Sequence, residues 1–437
     1  MHGWHRALLA SASLLAAEPA SALQPIAAFL GGARTSAPDN AEARANLAQQ
    51  RAEAGVARGR VLPGLSLGGT YARNQYQSTV QLPAAGGGPP ITVTVTPKDQ
   101  LTGTATLTVP LVDLSDLERA TAAGTSAGAF DAQARSTALQ IESAVAQDYY
   151  QLIANAALVD ASRQAVDVAK VSLQIAEQRR AAGSAALLEV DRARAELESD
   201  LQQLAGAELQ VSIVARALQS LSGIAPELDG SGSLADDLRD EGPLESFEPP
   251  DDRIPALLAA TRSRMAAEQQ AKAQRLTLVP RITGTLTEQA TNSSGFANHD
   301  ASWQAVVGLS WSFDFTTLPA IRSQEAAADA ARAREERARL AARDGIHNAW
   351  KTVGTNIARS RSARTQAGAS AEAAEQALQR YRAGAVTQLD LLQAQRDAFS
   401  AAASRIQADA NLVNSRAQLR IATGTSLLDG GGLRVGG

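Results

Sequence analysis

The chain has 437 residues, with 45 acidic against 41 basic side chains, a formal net charge of −4 and only 4% aromatic residues. That balance leaves no basic footprint for nucleic acid, and the lack of any Cys excludes disulfides, thiolate metal sites, cysteine nucleophiles and a cysteine-linked lipid anchor. Alanine is the commonest residue, and together with Glu, Arg, Gln and Leu it favours long, closely packed helices.

Residues 1–22 read as a secretory signal, with a weakly basic start, an apolar run at 7–17 and Ala20-Ser21-Ala22 as a cleavage site. No later stretch has roughly 18 uncharged apolar residues in a row, so any membrane contact must come from strands. A first repeat covers 23–225. It opens with a proline-free helical stretch at 39–59, and strands are expected at about 61–76 and 91–112 with a turn-rich segment between them. In LTGTATLTVP (101–110), Thr102, Thr104, Thr106 and Thr108 fall on one face, and Leu101, Gly103, Ala105, Leu107 and Val109 on the other. Period-two alternation of this kind marks a strand between a wet and an apolar environment. From Pro110 to Pro226 there is no proline, and long helices are expected at about 115–182 and 185–222. The first would be roughly 100 Å long if unbroken.

Residues 226–254, rich in Pro, Gly, Asp and Glu, read as a linker in the middle of the chain. A second repeat covers 255–424, with a helix from 255, strands at about 278–290 and 302–315, and helices at about 321–383 and 386–423. Residues 425–437 end in GGGLRVGG and read as a flexible tail. The two repeats align without gaps at an offset of 201. QRRAAGSAALLEV (178–190) lies over QRYRAGAVTQLDL (379–391), Leu218 over Leu419, and Ser222-Gly223 over Thr423-Gly424. A register held to the terminal glycines indicates duplication. Leu187, Val190, Leu197, Leu201 and Leu204, and then Leu392, Phe399, Ile406 and Val413, keep coiled-coil spacing.

Four strands per chain cannot close a membrane barrel, which takes at least about eight. Two chains would supply eight strands and three would supply twelve. The aromatics Tyr71, Tyr76, Trp303, Trp311, Phe313 and Phe315 crowd the strand segments, as a lipid-facing girdle would; a soluble sheet packed on itself is the other reading of the same pattern.

A leader, two repeats of strand pair plus very long helical hairpin, and YRAGAVTQLDLLQAQRDA near the end resemble the TolC family of outer-membrane efflux proteins, over about 38–424. The resemblance implies a mainly helical fold with a β-barrel portion. Three chains would share a twelve-stranded outer-membrane barrel that continues into a helical barrel through the periplasm. It also implies a passive duct that works with a periplasmic adaptor and an inner-membrane transporter of RND or ABC type, without a cofactor. The adaptor would touch the hairpin tips, Gly183, Ser184 and Ala185, and Gly384, Ala385 and Val386. Asp390 matches the position whose carboxylate lines the family's periplasmic constriction. The second acidic ring of that gate is Gln393 here, and its latching arginine is Val386. Tyr381 is retained, and Glu189 stands where its acidic partner would be. Tyr71, Trp303, Trp311, Phe313 and Phe315 would face lipid.

No chemistry is legible. His299 and His347 are isolated, and His2 and His5 fall in the leader. GGG at 86–88 precedes Pro-Pro and a strand rather than a helix, so it is no phosphate loop. Nothing pairs a nucleophile with a base, and an enzyme is not expected. The rival reading is a periplasmic coiled-coil scaffold or adaptor without a pore.

Overall fold

The structure, a computed structural model, describes residues 23–83, 88–228, 234, 236–293, 295 and 299–429. The expected leader and the GGGLRVGG end lie outside the described residues. Helices α1 (Ile26–Ser36) and α2 (Pro38–Gly59) are followed by β1 (Gly64–Arg73), β2 (Ser78–Leu82), β3 (Ile91–Thr96) and β4 (Asp99–Val112). Helices α3 (Leu114–Ala181) and α4 (Leu187–Ser222) complete the first repeat. The second repeat has α5 (Pro255–Leu276), β5 (Arg281–Thr291), β6 (Ala301–Ser310), α6 (Thr317–Arg382) and α7 (Gln388–Ala422). The described chain divides into two units. One comprises Glu42–Ser136 and Pro250–Arg343, and the other comprises the residues before Glu42, Thr137–Pro249 and those from Asp344 onward.

The first of these units carries a four-stranded sheet in the order β1-β4-β5-β6, antiparallel throughout. The alternation read from the sequence holds across all four strands. Thr102, Thr104, Thr106 and Thr108 lie opposite Thr291, Gln289, Thr287 and Thr285 on one face. There the Thr102–Thr291 and Thr106–Thr287 hydroxyl pairs are each 3.3 Å apart. On the other face, Leu65, Leu67, Trp303, Val307 and Leu309 are between 69% and 77% exposed. Among the described residues nothing covers those side chains. Helix α5 is tied to α6 in the same unit by Glu335, which receives Arg264 at 2.6 Å and the Thr261 hydroxyl at 2.8 Å.

Several expected boundaries need correction. There are six strands among the described residues, not four: the segment read as turn-rich forms a separate β2–β3 ribbon, and 91–112 is broken after Thr96 into β3 and β4. β1 is shorter than the expected 61–76, and β5 begins three residues later than 278. The strand expected at 302–315 ends at Ser310. The carboxylate of Asp314 accepts from the backbone N–H of Thr316 and from the hydroxyls of Thr316 and Thr317, which turns the chain into α6. Trp311, Phe313 and Phe315 therefore sit in a non-strand knuckle. In it the Trp311 indole donates to the carbonyl of Leu278 at 3.0 Å and stacks on Phe313, with ring centroids 6.4 Å apart.

The other unit is built around aromatic packing. Phe29 and Leu30 of α1 lie against Tyr149, Tyr150, Leu152 and Ile153 of α3, Leu218 of α4, and Val413 and Ala417 of α7. Buried Glu142 of α3 accepts from Arg34 (3.2 Å), the Ser426 hydroxyl (2.9 Å) and the Leu427 N–H (3.0 Å), pinning both ends of the described chain to one helix. Part of the expected linker is also a clamp. Arg416 of α7 pairs with Asp236 at 2.8 Å and with Glu241, and the Trp350 indole donates to the carbonyl of Gly242 at 2.9 Å.

Candidate functional site

Each helical hairpin reverses on a glycine. Gly183 and Gly384 both have φ of +74°, a left-handed conformation that L side chains adopt at a cost. The closing hydrogen bonds repeat as well. Gly183 N–H donates to the carbonyl of Arg180 and Ser184 N–H to that of Arg179, just as Gly384 donates to Tyr381 and Ala385 to Arg380. Gly183, Ser184, Gly384 and Ala385 are exposed, while Ala185 and Val386 are half-buried. Exposed turns of this kind can be touched by a partner without breaking either helix.

The two turns differ at the start of the return helix. Helix α4 begins after Ala186 with no side-chain cap. Helix α7 begins at a capping box: the Thr387 hydroxyl accepts from Asp390 N–H at 3.2 Å, and the Asp390 carboxylate accepts from Thr387 N–H at 3.0 Å and from its hydroxyl at 2.7 Å. These bonds from Thr387 hold the Asp390 carboxyl below its ordinary range, so it keeps its charge in mild acid. Asp390 is thus both a helix cap and an exposed anion. Gln393 donates to Asp397 on its own helix at 2.9 Å, and Val386 offers no charge to any neighbour.

Side chains of both hairpins join them near the tips. The Tyr381 hydroxyl donates to Glu189 Oε2 at 3.2 Å, and its ring carries the Arg179 guanidinium 4.7 Å from the centroid. Burial raises the Tyr381 hydroxyl above its ordinary range, and the Glu189 charge adds to this, so it stays a donor. Gln388 donates to the carbonyl of Glu189. Two turns farther from the tip, Arg396 of α7 makes a two-pronged pair with Glu196 of α4, at 2.7 and 2.9 Å from its Nε. Glu196 is 6% exposed in its side chain and Arg396 61%, so the carboxylate depends on the pair while the cation remains partly hydrated. Arg179, Thr387, Gln388, Glu196 and Arg396 were not singled out from the sequence. The T-x-x-D spacing at 387–390 is the one sequence pattern that could have pointed to any of them.

Asp200 lies one turn beyond Glu196, and burial pushes it up to about 6, reinforced by the Glu196 charge and opposed by Arg396. A carboxyl raised above its ordinary value of 3.8 stabilises the folded contact fully below that value, and loses the contribution as pH rises through about 6. Acidification from pH 7 to 5 is therefore expected to tighten the α4–α7 contact, and Asp200→Asn to remove that dependence. Hydrogen exchange of α4 measured at both pH values checks this. An unchanged pH dependence in the variant contradicts it.

A duplicated chain whose sheet has two unpaired edges and one uncovered apolar face, and whose helical hairpins turn on matched glycines, has the parts that a barrel-forming subunit needs. Residues 30–224 and 252–425 match the model of the outer membrane efflux protein family, and the chain belongs to that family. It is 28% identical over 285 residues to outer membrane protein OprJ of Pseudomonas aeruginosa, an alignment covering 61% of this chain and 57% of OprJ. The chain thus spans a little over half the length of that relative. In fold it is similar to the CmeC outer membrane channel of Campylobacter jejuni, with a TM-score of 0.79, 16% identity, and coverage of 97% of this chain and 94% of CmeC. It is similar too to the outer membrane protein VceC of Vibrio cholerae, with a TM-score of 0.77, 18% identity, and coverage of 92% and 96%. Among the described residues no helix is long and apolar enough to cross a membrane.

Proposed function

We propose that three copies of this chain form a passive exit duct across the outer membrane, carrying substrates delivered from the periplasm to the exterior. The observation that carries this reading is the sheet. Its edges β1 and β6 run in opposite directions, so β6 of one chain can continue antiparallel onto β1 of the next and close a ring with no free edge. Three chains give twelve strands, the threonine face toward a wet lumen and the apolar face toward lipid. Uncovered Leu187, Leu188, Leu209 and Ile213 on α4 give neighbouring chains apolar helix surface to pack against.

At the periplasmic end, Asp390 in three copies forms an acidic ring that favours cations and opposes closure. Tyr381–Glu189 and Arg396–Glu196 latch the hairpins together. A periplasmic adaptor on the tips around Gly183 and Gly384, fed by an inner-membrane transporter of RND or ABC type, completes the pathway. Ala185→Glu combined with Ala385→Glu is expected to abolish efflux while leaving the particle intact. Normal efflux would count against adaptor contact there.

The reading is tested by the mass of the particle extracted from outer membranes, corrected for bound detergent. Three chains in an alkali-resistant particle support it. A soluble monomer or dimer that alkali washes from the membrane would instead favour a periplasmic scaffold.

A further inference from the structure

The apolar face of the sheet has one break. Along β5 it presents Ile282, Gly284, Leu286, Glu288 and Ala290, and along β6 Ala301, Trp303, Ala305, Val307 and Leu309. On β1 and β4 the same face carries Leu65, Leu67, Gly69 and Tyr71, and Leu101, Gly103, Ala105, Leu107 and Val109. Below the rim pair Arg73–Asp99, Glu288 is the single acidic or basic side chain on this face among the described residues. It is exposed and makes no hydrogen bond or ion pair with any described residue. An ionisable side chain facing hydrocarbon is costly.

Three neighbours say what surrounds it. Trp303 is its direct cross-strand partner on β6, and Trp favours the membrane–water boundary. The next position toward the rim is small on all four strands: Gly69, Gly103, Ala290 and Ala301. Beyond it, the Tyr71 hydroxyl donates to Asp99 at 2.8 Å, with Leu101 the one large aliphatic side chain at that end. Away from the rim, the face is Leu65, Leu107, Leu286, Val307, Val109, Ile282 and Leu309. The bulky aliphatic surface thus gives way at Glu288.

Resting on the barrel reading above, we propose that Glu288 and Trp303 together hold the outer-leaflet headgroup layer at their own level, well below the rim of the sheet. The carboxylate then meets water, lipid hydroxyls and counter-cations rather than acyl chains. The aromatic knuckle at 311–315 marks the other boundary. From Trp303 to Trp311 is roughly 26 Å of extended chain, or about 20 Å along the membrane normal at a barrel tilt near 40°. Placing the boundary at the Tyr71–Leu101 row instead would sink Glu288 about 10 Å into hydrocarbon.

The test uses single-tryptophan forms of the full chain in phosphatidylcholine vesicles brominated at acyl carbons 6,7 or 11,12. Trp303 is kept with Trp4, Trp311 and Trp350 replaced by Phe, and Trp311 is kept in a matching form. Trp303 emission is expected to be quenched about twofold more by the shallow bromines than by the deep ones. Glu288→Leu should at least halve that ratio as the residue sinks. Stronger quenching of Trp303 by the deep bromines overturns the inference while leaving the barrel standing. A ratio unchanged in Glu288→Leu overturns the part assigned to the carboxylate. If neither bromolipid quenches Trp303 or Trp311, the sheet does not face lipid, and the barrel reading fails with the inference.

Discussion

Leu286→Arg is expected to abolish the assembled particle, whereas Thr287→Arg, the very next residue, leaves it intact. Leu286 lies on the apolar face, between Leu107 on β4 and Ala305 on β6, in the first aliphatic row below the level of Glu288 and Trp303. A guanidinium facing lipid costs about 2–4 kcal/mol per chain at the midplane of a barrel and about 0–1 at its boundaries, and Leu286 lies between the two. A trimer carries that cost three times, with no partner to neutralise the charge. Thr287 points to the other face, its hydroxyl 3.3 Å from that of Thr106. An arginine there enters a water-filled lumen and is solvated. Three copies should lower single-channel conductance and shift selectivity toward anions. Loss of trimers in both variants, or in neither, would contradict the assignment of the faces.

The second large effect is expected at Arg396. Arg396→Ala leaves Glu196 buried with no cation beside it, and an unpaired charge disfavours the packed arrangement more than the intact pair favoured it. Bonds to a charged group of this kind contribute about 1.5–3 kcal/mol, and the exposed half of the guanidinium places the effect toward the lower end through screening. The expected readout is a rise in resting conductance and faster hydrogen exchange in α4 below Glu196. Arg396→Lys should recover part of the loss, since a single ammonium keeps the charge but not the two-pronged geometry. Tyr381→Phe, which removes one hydrogen bond to Glu189 and keeps the ring under Arg179, should have the smaller effect of the two. An Arg396→Ala channel with unchanged resting conductance and exchange would remove this pair from the latch.

The helices were legible because they depend on local rules. Proline is absent from 111–225 and from 320 onward, falling only in the first turn of α6, and the observed ends of α3, α4, α6 and α7 lie within four residues of those expected. The Thr102–Thr108 alternation was equally legible, since every second residue meets the same environment along one strand. The β2–β3 ribbon was not. STVQL and ITVTVT alternate, but the ribbon is largely exposed, so no buried face distinguishes it from the Gly- and Pro-rich segment around it. At 311–315 the pattern misled. Aromatics at every second position imitate a continuing strand, while the hydrogen bonds to Asp314 begin a helix start. The tip contacts were hidden for a different reason. The 201-residue offset relates α4 to α7, yet it does not say that equivalent helices touch each other. Only the packing of one hairpin on the other brings Arg396 of α7 to Glu196 and Tyr381 of α6 to Glu189.

The central claim is that β6 of one chain pairs with β1 of the next until three chains close. The lack of any native Cys makes this directly measurable without background. Leu67→Cys on β1 would be combined in turn with Trp303→Cys, Ala305→Cys and Val307→Cys on β6, and each double variant oxidised in isolated outer membranes. Opposed outward-facing positions on paired strands lie close enough for a disulfide. The account predicts that at least one pair gives a covalent ladder of one, two and three chains on a denaturing gel, ending at three. A ladder that stops at two chains, or no bond between chains at any of the three registers, would contradict closure by three subunits.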